Sequence, residues 1–496
     1  MAQAIGNSQN AAGSVIANMY SQLSQAVLGH NSVYSAVGGQ ALTPTARDDS
    51  VFIAPANGVQ TPVWVANNKI IYTLPKTATL IGKMWHEVTL SAGQTNPALG
   101  VYTPGRPADP ANSVGLVLPV GTPHAEYIKN IGDLIYSYIL LRYGTTVLQQ
   151  YVPEMVVFKR YMEINNINIQ DINVEVLGNL SPGGNGELTL VDAFYTGVTL
   201  RHPLQQIWFT QSPDRHWMPE SLALEGTLEF TLRDPQNCII TTNGLASDLL
   251  TTPSISNCVL RYQQITLSAA EKMNRLALYK SPEGMVNLFE DNEDQLQFQF
   301  TPTVGTRIPF NPVVINQVVP LSNFRMDSKE IFFVVRVAQM TPNPAYVNPF
   351  GIFSGQLAKL RGSPVESDRT STSLLTTPAL GGNCIGTMVP VVAAKLVSNG
   401  KDLFNFVPEL YLRTHVRKQY HPDAEVGSYI YSFPFAIFPE DCRNATGHIS
   451  TATLGNLQLV LQISVNGPEF TYQVDCWSLA YNLMQSRGGS IVKALN

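Results

Sequence analysis

A chain of 496 residues is too long for one ordinary hydrophobic core and predicts two domains or three. Only 14% of it is charged, against roughly 25% in typical soluble domains, while 44% is hydrophobic. A surface poor in charge is cheap to desolvate, which suits either self-association or a neutral extracellular β-protein. With a net charge of −5 and no basic stripe, the chain does not read as one that coats nucleic acid directly.

The first 46 residues contain no Asp, Glu, Lys or Arg. Within them Val15, Met19, Leu23 and Val27 recur every four residues, with Ile16 and Tyr20 alongside, which places them on one helical face. An uncharged amphipathic segment must pack on something. Residues 1–50 therefore read either as an assembly arm for neighbouring subunits, accessory proteins or a membrane surface, or as a helix on the chain's own domain. The N-terminus lacks a basic region followed by a continuous apolar core, and no run of 18 apolar residues occurs. Neither a secretory signal nor a membrane-spanning helix is expected.

From about residue 50 the pattern becomes that of strands. Leu228, Phe230 and Leu232 alternate with Thr227, Glu229 and Thr231, and Cys258, Leu260 and Tyr262 alternate with Val259, Arg261 and Gln263. Leu134–Leu141 reads as a strand or a short buried helix. Further on, Leu296, Phe298 and Phe300 are separated by Gln residues, Leu457–Ile463 alternates, and so does Phe470–Cys476. Period two means one buried face, and many such strands between Gly/Pro turns predict β-sandwiches or barrels. One helix interrupts them. Ser268-Ala-Ala-Glu271 is a capping box, good helix formers follow to Lys280, and Ser281-Pro282 ends it. The expected organisation is therefore an all-β chain with a first domain at 51–267, a linker helix at 268–282 and a second domain at 283–496. Two Gly/Pro-rich stretches, Ser91–Ala125 and Thr341–Pro390, read as long loops, either outer surface or binding site.

Chemical motifs are scarce. The eight histidines (His30, His86, His124, His202, His216, His415, His421 and His448) form no helix-spaced metal pair, and neither a phosphate-cradling Gly-rich loop nor a Gly-x-Ser-x-Gly elbow occurs. His415 and His421, with Arg413, Arg417 and Lys418, make either a phosphate-binding patch or a solvated contact turn. Glu290-Asp-Asn-Glu-Asp294 reads as an exposed acidic turn or, less simply, a calcium loop, though without EF-hand spacing. Asn444-Ala-Thr446 and Asn179-Leu-Ser181 match the glycosylation triplet. Of five scattered cysteines, Cys238 and Cys258 flank one loop and are either paired or free, while Cys384, Cys442 and Cys476 read as free thiols. No catalytic, cofactor or metal residue is assigned, and no cofactor is expected. Paired glycosidase carboxylates have a three-dimensional spacing that sequence does not reveal.

The stretch Leu403–Leu461 carries an unusual order. Leu403-Phe-Asn-Phe-Val-Pro-Glu-Leu-Tyr411 is followed by the basic segment, then Ser428-Tyr-Ile-Tyr-Ser-Phe-Pro-Phe-Ala-Ile-Phe-Pro439-Glu-Asp, then Asn444-Ala-Thr-Gly447-His-Ile-Ser450. It resembles the C-terminal signature of the major capsid proteins of large icosahedral double-stranded DNA viruses, the nucleocytoplasmic double jelly-roll family, in an algal-virus-like, coccolithovirus-like form. Tyr72-Thr-Leu-Pro-Lys76, Ile81-Gly-Lys-Met-Trp85, His202-Pro-Leu204, Ile207-Trp-Phe209, Leu222-Ala-Leu224, Lys329-Glu-Ile-Phe-Phe-Val-Val335 and Tyr481-Asn-Leu-Met484 extend the likeness over most of residues 70–496. The chain departs from the pattern after Gly447, where the turn is short, Thr451 replaces a common Arg and the following Asp is missing. The resemblance implies two tandem eight-stranded jelly rolls, a homotrimeric pseudo-hexagonal block with trimer–trimer contacts, and a structural role without catalysis. It also implies minor capsid and penton partners, an internal membrane nearby, no direct nucleic-acid contact, and a place in the virion after assembly in host cytoplasm. The alternatives are a glycan-acting enzyme of the same fold and a minor or scaffold capsid protein.

Overall fold

The structure is a computed structural model, and it describes residues 46–56, 60–76, 80–96, 125–127, 131–163, 190–211, 215–241, 249–281, 284–302, 313–340, 391–422, 430–441, 445–465 and 470–493. The amphipathic stripe of Val15–Val27, most of the two long Gly/Pro-rich stretches, His30, His124, Asn179, Cys384, Cys442 and Asn444 lie outside these residues.

Eight strands build the first sandwich: β1 (Ala46–Ile53), β2 (Lys69–Thr73), β3 (Leu80–Leu90), β4 (Tyr136–Tyr143), β5 (Thr146–Tyr151), β6 (Val198–Pro203), β7 (Gly226–Leu232) and β8 (Ile255–Thr266). They form two four-stranded antiparallel sheets, β1-β8-β3-β6 and β2-β7-β4-β5. Between them lies a core that includes Tyr72, Val88, Ile139, Leu228, Phe230 and Leu260. Alternation puts Leu228, Phe230 and Leu232 inward as the sequence predicts. The opposite face of β7 is covered as well: Glu229 is buried because Lys69 and Arg142 reach it from the neighbouring strands, at 2.6 and 3.5 Å. The Leu134–Leu141 stretch resolves into a single helical turn, α1 (Ile131–Leu134), running into β4. Helices α2 (Pro153–Glu163) and α3 (Leu190–Thr196) follow β5 in sequence.

Helix α4 (Ala269–Lys280) then begins on the predicted cap, with the Ser268 side chain accepting from the Glu271 amide at 3.3 Å. The Glu271 carboxylate turns along the helix towards Arg275, one turn on, at 3.6 Å.

The second sandwich comprises β9 (Met285–Asp291), β10 (Gln295–Phe300), β11 (Val313–Pro320), β12 (Asp327–Met340), β13 (Val391–Ser398), β14 (Ile430–Pro434), β15 (Gln458–Val465), β16 (Phe470–Arg487) and β17 (Ser490–Lys493). One sheet runs β9-β16-β12-β14, with β10 and β17 also on β16 and the short Ile449–Ser450 on β12. The other runs β11-β15-β13, extended by Lys401–Asp402 and Val407–Pro408. Phe333, Tyr431, Phe433, Leu459, Leu461 and Val474 fill the space between, and Leu296, Phe298 and Phe300 pack half-buried on its edge. Strand β12 reads as a continuous apolar run because both its faces are covered. Ile331 and Phe333 face the second core, while Phe332 and Val334 meet Met155 and Met162 of α2.

Candidate functional site

The described residues hold no group of three or more His, Cys, Asp or Glu side chains placed to share a metal ion, and no described helix is long and apolar enough to cross a membrane. Cys238 and Cys258 are both free and buried, so they do not form the disulfide their flanking positions allowed. Cys238 instead directs its thiol at the Leu134 carbonyl, at 3.7 Å.

The basic segment around His415 is a helix rather than a turn. It runs through Glu409–Tyr411, a π-helical stretch Leu412–Val416 and Arg417–Tyr420. Leu412 and Val416 face inward, and Arg413 spends its charge on Glu409 one turn earlier, at 2.6 Å. His415 is exposed and stacks on Tyr411, whereas Arg417 and His421 are buried. His421 bridges Glu330 at 2.7 Å and Glu440 at 3.1 Å. The cluster therefore divides: only His415 and Lys418 stay on the surface, and the remaining charge is used internally. Downstream, Gly447 at φ +135° turns the chain where a Cβ would sit 3.1 Å from the Phe435 carbonyl. Thr446 of the glycosylation triplet pairs with the Phe438 backbone through its hydroxyl.

The largest departure from expectation is the acidic run. Glu290, Asp291, Asn292 and Asp294 are buried, not an exposed turn, and they lie at the junction of the two sandwiches. Glu290, next to last in β9, meets two ammonium groups, Lys159 from α2 of the first half and Lys329 from β12 of the second. Burial pushes the Glu290 carboxyl up, but the two cations outweigh it and hold it down at about 2. Gln211 clips the same residue's backbone in both directions, at 2.8 and 2.9 Å. Asp291 accepts from Asn482 at 2.9 Å and lies 3.4 Å from Lys493, which also reaches Glu293 at 2.5 Å. Asp294 takes the amides of Arg325 and Met326 at 2.7 and 2.8 Å. Burial, with Asp291 adding its charge, raises the Glu293 carboxyl, and burial raises that of Asp294 against its two amide bonds. Apolar contacts surround this charge. Met155 and Met162 pack on Trp477 and Leu479, and Phe289 and Met484 join the first core. Tyr143 and Ala223 both donate to the Gly489 carbonyl, at 2.5 and 2.7 Å. Removing one partner of a buried ion pair costs about 3–5 kcal/mol, so the arrangement fixes the relative placement of the sandwiches. Distance along the chain hid it, since Lys159 lies 131 positions from Glu290 and Lys493 lies 202 and 200 positions from Asp291 and Glu293. The available signal was Lys329-Glu330 opening a strongly apolar strand, where a charged pair needs buried partners.

A second polar cluster sits inside the first sandwich. His86 lies between the Tyr72 and Tyr136 hydroxyls at 2.7 and 2.5 Å. His202 holds Asp133 at 2.6 Å and Tyr151 at 3.3 Å. All six side chains are buried. Burial, helped by the His202 charge, pushes His86 well below its usual value, so one ring nitrogen donates and the other accepts. An Asp–His pair can serve catalysis only where substrate reaches it. This one is closed on all sides by core residues and acts as packing.

No protein-family model matches the chain, and no curated protein sequence does. Among solved structures it is similar to the quasi-atomic model of the PBCV-1 virus capsid, at a TM-score of 0.60 and 14% identity, over 92% of this chain and 99% of that one. PBCV-1 VP54, fitted into a reconstruction of the virophage Sputnik, gives 0.57 and 15% over 92% and 99%. The Faustovirus major capsid protein gives 0.59 and 10% over 89% and 91%. The chain thus has the double jelly-roll fold that these capsid proteins have, over about nine-tenths of its length.

Proposed function

We propose that the protein is a major capsid protein whose work is structural rather than catalytic. The observation that carries this reading is the match of both clamped sandwiches to viral capsid chains, over 92% of this chain and 99% of the PBCV-1 chain. A shell unit must present two sandwiches as one rigid block, and the buried junction at Glu290 supplies that rigidity. In this reading the arm expected over residues 1–50 stops short of β1, which begins at Ala46; the first jelly roll runs from β1 to residue 267, 268–282 is the linker helix and 283–496 is the second jelly roll. Three chains associate, six sandwiches give a pseudo-hexagonal block, and the blocks tile the facets of an icosahedral virion. Its partners are further copies of itself together with minor capsid and penton proteins, with an internal membrane beneath and assembly in host cytoplasm. The low charge of the chain favours this reading, because large obligate interfaces are depleted in charge.

Native mass measurement tests it. A stable species at three times the 54.3 kDa chain mass is expected, and a monomer at assembly concentrations overturns it. Abundance in purified particles separates a major shell component from a scaffold, which would be sparse there.

A further inference from the structure

Helix α4 is amphipathic in the inverted sense. Its buried line is Glu271, Arg275 and Tyr279, spaced by four, whereas Ala269, Ala270, Met273 and Ala277 are exposed and Leu276 is only half-buried. Met273 is 66% exposed, the largest value among the exposed large hydrophobic side chains of the described residues apart from Val63. Glu271 and Arg275 point inward and Lys272 is paired with Glu220 at 2.7 Å, which leaves the outward methionine flanked by alanines as an apolar face. The described residues begin beside it. Ala46, the first described residue, pairs in β1 with Thr266 of β8, three positions before α4 begins. Paired Cα atoms of that kind lie about 5 Å apart. Ala46 therefore sits close to the N-terminus of α4, and 45 residues precede it in the sequence.

We propose that the amphipathic stripe Val15, Met19, Leu23 and Val27 of this same chain docks along the outer face of α4, with Met273 as its central anchor. Lengths agree. The stripe spans about 18 Å as a helix, and α4, with 12 residues, is also about 18 Å long. The intervening residues 28–45 include Gly29, Gly38 and Gly39 and reach up to about 60 Å when extended, ample to double back. Chemistry agrees as well. The N-terminal segment has no charge to desolvate, and the alanines of α4 permit helix axes to approach to about 8 Å. The inference does not depend on the shell-building role. It ties the arm to its own linker helix and leaves residues 1–13 to reach elsewhere.

The test uses the full-length chain carrying Met19→Cys and Met273→Cys, oxidised and run without reductant, with the unsubstituted chain and its five cysteines as control. A new cross-link within one chain, found between residues 19 and 273 by peptide mapping, is the expected result. A cross-link joining two chains would show that a second copy covers the face, and no cross-link would show that something else does. Either overturns the proposal. Because Met273 is exposed, its replacement does not threaten folding. Met273→Glu is then expected to speed amide exchange of residues 14–28 by about tenfold or more, and unchanged exchange there also counts against the docking. Trimer mass is read separately, so this proposal and the capsid reading fail independently.

Discussion

The two sandwiches share an architecture but fill it with different chemistry. The first buries a polar thread, with His86 between two tyrosines and His202 on Asp133. The second is filled by aromatic stacking, Phe333 on Tyr431 at 5.1 Å and on Phe433 at 5.9 Å, with Phe404 against Phe433 at 5.2 Å. The fold constrains which positions point inward and leaves open what they carry. A histidine closed in by apolar neighbours keeps its place only while each polar atom has a partner. The first core is therefore selective about protonation, whereas the second half keeps its buried histidine, His421, paired with Glu330 and Glu440 outside the aromatic core.

That contrast can be broken most sharply at Asp133. Asp133→Ala strands His202 at 0% exposure and is expected to cost about 3–5 kcal/mol, read as a lower denaturation midpoint. Glu290→Gln removes the counter-charge of Lys159 and Lys329 and is expected to cost somewhat less, about 2–4 kcal/mol, because the amide still accepts hydrogen bonds. The loss should appear as unlinked unfolding of the two halves by calorimetry.

Acid separates the regions without mutation. His86 is depressed below its unfolded value near 6.5, so its contribution is present above that value and is lost as pH falls below it, because the unfolded chain takes the proton. Glu290 is depressed from 4.5 to about 2, so its contribution survives to pH 4.5 and is lost as pH falls towards 2. Glu293 and Asp294 are raised and work in the opposite direction, binding protons more readily when folded and easing the junction through mild acid. Amide exchange between pH 6.5 and 5 should therefore rise in the first sandwich before the junction loosens, and equal loosening of both would break the contrast. Smaller still, Ser268→Ala is expected to cost about 1 kcal/mol by removing the α4 cap, measured by denaturant midpoint. If the proposed capsid role holds, deleting residues 1–46 should leave the native mass per assembly unit otherwise unchanged while particle yield falls.

Local grammar was readable and distant pairing was not. The Ser268 cap and the inward set Leu228, Phe230 and Leu232 depend on neighbours a few positions away, and both appear where the pattern puts them. The double jelly roll was legible through the order of motifs such as Lys329-Glu-Ile-Phe-Phe and Tyr481-Asn-Leu-Met. Glu290-Asp-Asn-Glu-Asp294 misled because five polar residues in a row ordinarily mark solvent. Here Lys159, Lys329 and Lys493 arrive from three separate elements to neutralise them. His415 and His421 misled in a related way, since helix formation turned one outward and the other inward.

Strand β16 is 18 residues long and is hydrogen-bonded to β9 and β10 along one side and to β12 along the other. Antiparallel bonds lie across the strand axis. Tension applied along β16 therefore loads many of them at once, in shear, whereas tension across the sheet would unzip them one at a time. A material built from such units would resist stretching far better along this strand than across it, giving each block a mechanical grain whose direction is set by a single segment of chain.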